Sequence, residues 1–170
     1  MSTLPVGDLT THGYEPPRNV QFSVFLDNRV GKLLELVEIF HGQALKLAGF
    51  SILDSAEYAV IRILTSRSDL ARRLLERHQF PFSEADVLVV EIDDDHSLDL
   101  ACKALLAAEL SIRYAYPLLV RPRGRPTVAL QTDDLHLGCA LLRKRLFTLL
   151  AENDLGDNAL LGGGEGLPPL

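Results

Sequence analysis

The chain carries an internal duplication, and this feature limits its possible folds more than any other. Strand-like and helix-like patterns follow one another in the same order twice along the sequence. Asp93 matches Asp27 at an offset of 66 residues, and Leu98 matches Leu33 at an offset of 65. The offset of 65 then pairs Val37 with Cys102, Phe40 with Leu105, Leu45 with Leu110 and Leu47 with Ile112. The single slip falls in a predicted loop, where a change of length costs little free energy, so the pattern predicts two copies of one small unit.

The first predicted unit covers residues 20–85 and reads as strand, helix, strand, strand, helix and strand. In its opening strand, over 20–27, every second residue is apolar, which is typical of a strand with one buried face. The residues on that face are Val20, Phe22, Val24 and Leu26. From Lys32 the apolar residues recur with the spacing of a helix, and Gly42 ends this pattern, which predicts the first helix. Ser66 and Ser68 are the predicted N-caps of the second helix. The other predicted elements are strands over 44–55, 58–65 and 80–85 and a helix over 69–78, with a polar turn at 55–57.

The second predicted unit covers residues 86–153 and repeats this order. Its predicted strands span 87–92, 110–120, 126–132 and 146–151, and its predicted helices span 98–108 and 135–145. A loop at 93–97 joins the first strand to the first helix, and a basic turn at 121–125 joins the middle strands. Prolines and glycines interrupt every regular pattern outside the units, which predicts a flexible N-terminal arm at 1–19 and a flexible Gly/Pro-rich tail at 154–170.

Composition agrees with a folded globular protein and argues against nucleic-acid binding. Hydrophobic residues make up 47% of the 170 residues and charged residues 24%, which is enough apolar surface for a packed core. The chain has 23 Asp and Glu against 17 Lys and Arg, so its formal net charge of -6 has the wrong sign for a surface that neutralises phosphates. Trp is absent and aromatic residues make up only 6%, which disfavours base stacking on several rings.

The cysteines and the lack of long apolar runs indicate the compartment. Cys102 and Cys139 show no CxxC spacing and are too few for a disulfide framework, so they are predicted to be reduced core residues. No apolar stretch reaches the length of a signal peptide or of a membrane-spanning helix. The sequence therefore predicts a cytoplasmic protein without membrane contact.

The order of elements in each unit predicts a ferredoxin-like βαββαβ arrangement, an antiparallel sheet with both helices on one face. The predicted fold class is therefore α+β with two such repeats. The segment from Phe25 to Leu33 resembles the loop between the first strand and the first helix of ACT domains, where an acidic residue precedes Asn-x-Pro-Gly-x-Leu; Val30 replaces the usual Pro. The segment 110–116 resembles the second strand of such a domain. Over 20–153 the chain is similar to small stand-alone tandem ACT proteins.

This resemblance implies regulation by a small ligand, usually an amino acid, bound where the loop of one ACT domain meets a neighbouring ACT domain. The implied ligand-binding residues are Asp27, Asn28, Arg29, Val30, Gly31, Lys32 and Leu33, with Tyr114 and Tyr116 from the other repeat. The loop chemistry agrees, because Gly31 can adopt positive φ and the first amides of a helix can receive a carboxylate. Asp27 or Asn28 can accept a hydrogen bond from an ammonium group. Loops of this kind also join strands to helices where no ligand binds, so that alternative stays open.

The loop of the second unit is expected to depart from this function. Residues 93–97 lack the glycine, and three adjacent aspartates would repel an incoming carboxylate. A cation site at these aspartates is disfavoured because consecutive residues of a turn diverge, so no metal site is predicted. Tyr114 and Tyr116 lie two residues apart on a predicted strand and face the same side, which suits a ligand wall, an interface or ordinary sheet packing.

The remaining reactive residues show no pattern of catalytic chemistry. The histidines without metal-ligand spacing are His41, His78, His96 and His136. No Ser/His/Asp or Cys/His set converges, no phosphate-binding glycine loop is present, and Cys102 has no neighbouring cation to activate it. The basic turn at 121–125 is either a phosphate contact or the solvated end of a hairpin. The sequence therefore predicts no enzyme activity and no cofactor.

Together these features predict a small-ligand-binding regulatory protein that senses an amino acid at the loop of the first unit. Exposed edge strands favour further pairing, so a homodimer is expected, and the regulated partner would be an unidentified enzyme. The alternative is a protein–protein interaction module without a ligand. An RNA-binding ferredoxin-like domain is disfavoured by the acidic charge and by the missing strand aromatics.

Overall fold

The order strand, helix, strand, strand, helix, strand occurs in two runs along the part of the chain that the computed structural model describes, residues 16–27, 29–54 and 58–156. The strands are β1 (Val20–Asp27), β2 (Leu47–Asp54), β3 (Tyr58–Thr65), β4 (Phe82–Asp86), β5 (Leu88–Glu91), β6 (Ile112–Pro117), β7 (Thr127–Thr132) and β8 (Leu149–Leu150). The helices are α1 (Lys32–Glu38), α2 (Ser68–Arg77), α3 (Leu98–Leu106) and α4 (Leu135–Lys144), with 3-10 turns at Pro122–Gly124 and Glu152–Leu155. Asn28, the polar turn at 55–57, residues 1–15 of the predicted arm and residues 157–170 of the predicted tail lie outside the described residues.

Each run forms one four-stranded antiparallel sheet. The strand order is β2-β3-β1-β4 in the first sheet and β6-β7-β5-β8 in the second. With a helix after the first and the third strand, this is the ferredoxin-like arrangement. The predicted fold class, α+β with two ferredoxin-like repeats, is confirmed. The first sheet with α1 and α2 is called repeat 1 below, and the second sheet with α3 and α4 is called repeat 2.

The helices of each repeat cover one face of its sheet. The alternating residues of β1 are all buried, namely Val20, Phe22, Val24 and Leu26. They share one hydrophobic cluster with Leu36 of α1 and with Leu74 and Leu75 of α2. In repeat 2, Leu88 of β5 packs in the same way with Leu105 of α3 and Leu142 of α4. The apolar stripe of each helix is thus buried against the alternating face of its own sheet.

The other faces of the two sheets pack against each other, so the layers run helix, sheet, sheet, helix. Ala48 and Leu64 of the first sheet share a buried cluster with Tyr116 and Ala129 of the second. At one edge of this contact, the N–H of Leu119 donates a hydrogen bond of 2.8 Å to the carbonyl of Ala48. The contact between the repeats therefore combines apolar packing between two sheet faces with a backbone link at the edge.

The duplication extends to an irregularity in the sheets. In repeat 1, the pairing of β2 with β3 shifts register between Leu47 and Gly49. In repeat 2, the pairing of β6 with β7 shifts between Ile112 and Tyr114. These two positions differ by the same 65 residues that relate the sequences of the two repeats. The repeats therefore share a β-bulge as well as an order of elements.

The predicted end of the first helix is wrong. α1 stops at Glu38 rather than at Gly42, so it has 7 residues. Beyond it, the N–H of Phe40 donates to the carbonyl of Val37, three residues earlier, which tightens the last turn and ends the α-helix. No described helix has both the length and the apolar character that a membrane-spanning segment needs.

Several predicted strands are too long. The strand predicted over 44–55 begins at Leu47, and the strand predicted over 110–120 is limited to β6. The strand predicted over 146–151 shrinks to the two residues of β8. Leu146 has a φ of 64 and belongs to the turn after α4, because a strand cannot pass through a left-handed residue.

The predicted N-caps of α2 are also wrong. The N-cap residue is Arg67, which makes no side-chain cap. The hydroxyl of Ser66 instead accepts a hydrogen bond of 2.8 Å from the N–H of Lys46. The N–H of Ser68 donates to the carboxylate of Glu152, and the Ser68 hydroxyl donates to the same carboxylate at 2.8 Å. The cap of α2 therefore comes from the C-terminal end of repeat 2, which no local sequence signal can reveal.

Candidate ligand-binding site

The loop between β1 and α1 is shaped by one glycine. Gly31 precedes α1 and has φ 90 and ψ -15, a conformation that costs free energy for a residue with a side chain. A Cβ built on Gly31 would meet nothing within 4 Å. Gly31 thus has the positive φ expected from the sequence, and the space beside its backbone is open.

Two backbone hydrogen bonds hold this loop in a tight turn. The N–H of Arg29 donates to the Asp27 carbonyl at 2.7 Å, and the N–H of Lys32 donates to the Arg29 carbonyl at 3.3 Å. The Lys32 ammonium group lies 2.6 Å from the Glu35 carboxylate. Arg29 is exposed and forms no ion pair with a described residue. Of the two loop cations, Arg29 is therefore the one whose charge is left for a ligand.

The start of α1 offers further donors to the same space. The N–H of Glu35 closes the first turn by donating to the Gly31 carbonyl at 3.0 Å. Among the described residues, no backbone carbonyl accepts a hydrogen bond from the N–H of Leu33 or Leu34, as is usual in a first helical turn. Asp27 is exposed, and so is the side chain of Val30. The loop therefore presents amide donors, one acid, one cation and an apolar side chain at the surface of repeat 1.

The two tyrosines of β6 lie between the sheets. Tyr116 is 5% exposed, and its hydroxyl donates a hydrogen bond of 2.9 Å to Oε1 of Gln21. Nε2 of the same Gln21 donates to the Tyr114 hydroxyl at 2.9 Å. The guanidinium carbon of Arg62 lies 4.0 Å from the centre of the Tyr114 ring. Burial raises the pKa of Tyr116 far above its ordinary value, so this hydroxyl keeps its proton as a donor.

Within one chain, the structure does not bring these tyrosines to the loop. Gln21 lies near the start of β1 and Asp27 at its end, and six residues of strand span about 20 Å. Both tyrosine hydroxyls bind Gln21, at the end of β1 remote from Gly31. Inside the chain, Tyr114 and Tyr116 therefore join repeat 1 to repeat 2.

Gln21 is the residue that sequence reasoning missed. It lies on the face of β1 that the alternation assigns to solvent, yet its exposed fraction is 0%. A polar residue on the outer face of a strand is the normal pattern of a half-buried sheet, so no local signal marks it. Gln21 is buried because the sheet of repeat 2 covers this face of β1. In the sequence, only the duplication indicates that a second sheet is present to cover it.

The equivalent loop of repeat 2 is closed by its own aspartate. Oδ1 of Asp93 accepts hydrogen bonds from the N–H of Asp95 at 3.0 Å, from the N–H of His96 at 2.7 Å and from the His96 ring at 3.0 Å. Desolvation acts to raise the pKa of Asp93, but the hydrogen bonds from His96 outweigh it and leave that pKa below its ordinary value. The donors of this loop are thus already satisfied by a carboxylate of the chain.

Two arginines of the basic turn of repeat 2, Arg123 and Arg125, pair with acids of the same repeat, so most of the positive charge of this turn is already compensated. Arg123 binds the carboxylate of Glu91, whose side chain is 3% exposed. Arg125 lies 3.4 Å from Glu91 and 2.9 Å from Asp93. Pro122 is buried where this turn folds back onto the sheet. Within the described ranges, no group of three or more His, Cys, Asp or Glu side chains could hold a metal ion.

Comparisons with known proteins agree on one family of folds. A family model described as ACT domain pair matches residues 19–158. Protein BT0572 from Bacteroides thetaiotaomicron has a similar structure, with a TM-score of 0.71 and 23% identity over 82% of this chain and 96% of that one. The regulatory subunit of aspartate kinase from Thermus thermophilus, in a ligand-free form, is similar with a TM-score of 0.51 and 7% identity over 78% of this chain and 95% of that one. No curated protein sequence matches the chain.

Proposed function

Since the chain belongs to the ACT domain pair family, we propose that it is a regulatory protein that senses an amino acid at the β1–α1 loop of repeat 1. One observation carries this proposal, namely the open space beside the backbone of Gly31, whose φ is 90. A ligand carboxylate would accept hydrogen bonds from the backbone N–H groups of Gly31 and Leu33. The positive charge of Arg29 would attract the same carboxylate. Its ammonium group would bind Asp27 or Asn28. Val30, Lys32 and Leu33 would complete the surface around it.

The contrast between the two loops supports a single site per chain. In repeat 2, the Asp93 carboxylate takes the hydrogen bonds that an incoming carboxylate would need. In repeat 1, the equivalent residue Asp27 is exposed, and Gly31 keeps the backbone accessible. The proposed ligand therefore binds repeat 1, and the acidic loop of repeat 2 stays closed.

A homodimer would supply the second wall of this site. β2 is the edge strand of the first sheet, and its start, at Ala48 and Gly49, is bridged to repeat 2. Beyond Gly49 no described strand pairs with this edge, which has no Lys, Arg or Pro and whose Ile52 and Leu53 are 49% and 52% exposed. Such an edge favours pairing with another strand, and antiparallel pairing with its own copy gives a two-fold dimer. β1 and β2 run toward the same end of the sheet, because each is antiparallel to β3. Because the start of β2 is bridged to repeat 2, a copy would pair with the later part of β2, toward the end of the sheet that carries the Gly31 loop.

The proposal divides the predicted site residues into two groups. The residues of the β1–α1 loop are the proposed ligand contacts, whereas Tyr114 and Tyr116 hold the two repeats together. The regulated partner would be an enzyme whose activity follows occupancy of the loop, since ACT domains are regulatory rather than catalytic. The regulatory subunit of aspartate kinase, which shares this fold, supports such a role. We also propose a cytoplasmic location, with which the free thiols of Cys102 and Cys139 are compatible.

A ligand-free interaction module is the second candidate, and one surface favours it. Phe25 and Leu53 lie on the face of the first sheet that packs against the second sheet, but in a part of that face that stays exposed. They are 39% and 52% exposed, on either side of Val60 in the strand register. The counterpart of Phe25 in repeat 2 is the buried Glu91, which the basic turn covers. An apolar patch of this kind is typical of a protein-binding surface.

A thermal-shift screen of the amino acids distinguishes the two functions. A ligand that binds only the folded state stabilises it by RT ln(1 + [L]/Kd), about 2.7 kcal/mol at a hundredfold excess over Kd. The sensor proposal predicts that one amino acid or a chemically related group raises the melting temperature of the wild-type chain. A flat screen at millimolar concentrations would contradict the sensor and favour the interaction module.

A further inference from the structure

A cavity lies at the end of the first sheet opposite the Gly31 loop. It has a volume of about 480 Å³, which is within the range of small-molecule sites. Repeat 1 lines it with the segment before β2 and the segment after β3, and repeat 2 closes it with the turn after β8. The polar and glycine residues that line it are Gln43, Lys46, Ser66, Arg67, Asn153 and Gly156.

Two positive charges face this cavity without full compensation. Among the described residues, no carboxylate lies within ion-pair distance of the Lys46 ammonium group. Arg67 is 3.6 Å from Asp69, a long contact, and Asp69 also binds Arg73 at 3.2 Å. The Ser66 hydroxyl accepts from the Lys46 N–H at 2.8 Å, which leaves its own proton to donate.

The turn after β8 also carries two carboxylates, and both already accept hydrogen bonds from other groups of the chain. The Glu152 carboxylate receives the N–H and the hydroxyl of Ser68. The Asp154 carboxylate receives the N–H of Ala151 at 2.8 Å. The charge of Lys46 and much of the charge of Arg67 are therefore left for a molecule that enters from solvent.

The position of Arg67 is unfavourable for the fold alone. In repeat 2, the equivalent position before α4 holds Asp134, whose side chain accepts a hydrogen bond of 2.9 Å from the N–H of Leu137. Arg67 cannot accept such a bond, and a cation at a helix N-terminus opposes the helix dipole. Glu152 supplies the missing cap from a distance. The contacts of Arg67 within the fold are long, a hydrogen bond of 3.5 Å to the Ala44 carbonyl and the ion pair with Asp69. A residue that breaks a local rule for such weak contacts points to a further role.

We propose that this cavity binds a small anion with a carboxylate or phosphate group. Lys46 and Arg67 neutralise the anion, and the Ser66 hydroxyl and the side-chain amides of Gln43 and Asn153 donate hydrogen bonds to it. Because Asn153 and Gly156 belong to the turn after β8, the bound anion joins the two repeats. The site is independent of the amino-acid site proposed at Gly31, since the two lie at opposite ends of the sheet.

Titration with inorganic phosphate and with citrate tests this site, at constant ionic strength maintained with sodium chloride. Calorimetry of the full chain is expected to show saturable binding of one anion per chain. Lys46→Met and Arg67→Met are each expected to weaken binding about tenfold, the loss of one charge-assisted contact. Arg77→Met is the matched control, because Arg77 is an exposed cation in the last turn of α2. Tighter binding of citrate would assign a carboxylate ligand, and tighter binding of phosphate a phosphorylated one.

Two results would overturn the proposal. One is the absence of saturable binding of either probe to the wild-type chain. The other is an equal loss of binding in Arg77→Met and in Lys46→Met, which would show attraction to net charge only. Gly31→Val separates the two sites, because it is expected to leave phosphate and citrate binding unchanged whether or not the amino-acid site exists.

Discussion

The Tyr116 hydroxyl of repeat 2 donates a hydrogen bond of 2.9 Å to the side-chain carbonyl of Gln21 in repeat 1, between two packed sheets. Gln21 is 0% exposed and Tyr116 is 5% exposed, so neither group can exchange this partner for water. The bond also fixes the Gln21 amide, whose nitrogen then faces Tyr114. One glutamine thus sets how the two sheets fit together, because any shift between them would leave buried polar groups unpaired.

Tyr116→Phe is expected to lower the free energy of unfolding by roughly 1–3 kcal/mol, because it leaves the buried Gln21 carbonyl without a donor. Denaturant unfolding of wild type and variant measures this difference. Tyr114→Phe is the control and is expected to cost less, since Gln21 Nε2 also donates to the Ser23 hydroxyl at 3.3 Å. A larger loss for Tyr114→Phe than for Tyr116→Phe would refute this view of the interface.

Gly49→Ala is expected to destabilise the contact between the repeats. A Cβ at Gly49 would lie 2.7 Å from Cδ2 of Leu118, which can rotate away, but also 3.1 Å from the Leu64 Cβ and 3.1 Å from Cε2 of the buried Tyr116, which cannot. Overpacking of this kind costs about 1–3 kcal/mol. Thermal unfolding compares Gly49→Ala with the control Gly156→Ala, whose new Cβ would lie at an ordinary 3.5 Å from Cβ of Ser66. Equal melting temperatures for the two variants would show that the edge contact at Gly49 adapts without cost.

Glu152→Ala is expected to uncap α2. Its carboxylate accepts hydrogen bonds from both the N–H and the hydroxyl of Ser68. The loss of an N-cap costs about 1 kcal/mol of stability. Hydrogen exchange of the Ser68 amide should become faster in the variant, whereas amides in the middle of β1 should keep their protection. Glu152→Gln retains an acceptor and should lose less. Unchanged exchange at Ser68 in Glu152→Ala would contradict this cap.

The ion pair between Arg72 and Glu84 gives a prediction about pH. The hydrogen bond from Arg72 is the main reason that the pKa of Glu84 lies below its ordinary value, and burial only partly opposes it. A lowered folded-state pKa adds stability above the ordinary pKa, and this stability is lost as the pH falls through the folded-state value. Glu84→Gln should therefore cost up to about 1 kcal/mol at pH 7, and this cost should shrink as the pH is lowered below the ordinary pKa of a glutamate. Urea unfolding at a series of pH values measures this, and a cost that stays the same across the whole series would show that packing, not charge, causes it.

Much of the fold could be predicted because its signals are local. The alternation of β1 and the offset of 65 residues survive in the structure as a buried strand face and as matching β-bulges. The resemblance of the chain to tandem ACT proteins is confirmed by the match of the family model over residues 19–158. Gly31 could be singled out because positive φ favours one residue type.

The features that escaped prediction depend on contacts between distant parts of the chain. The burial of Gln21 requires the second sheet, and the cap on α2 requires Glu152, which is 84 residues from Ser68. The closed loop of repeat 2 was expected to repel anions through its aspartates. The structure gives a different physical reason, because Asp93 itself occupies the donors of that loop.

Titration calorimetry with the amino acid that gives the largest thermal shift tests the central proposal most directly. The sensor proposal predicts one binding site per chain in the wild type. It also predicts at least tenfold weaker binding in Gly31→Val, because a β-branched side chain resists the positive φ and fills the open space. Gly42→Val is the matched control, since Gly42 also has a positive φ and nothing within 4 Å of its Cβ position, but lies outside the loop. Binding that is equally strong in Gly31→Val, or two equivalent sites per chain, would contradict an amino-acid sensor at this loop.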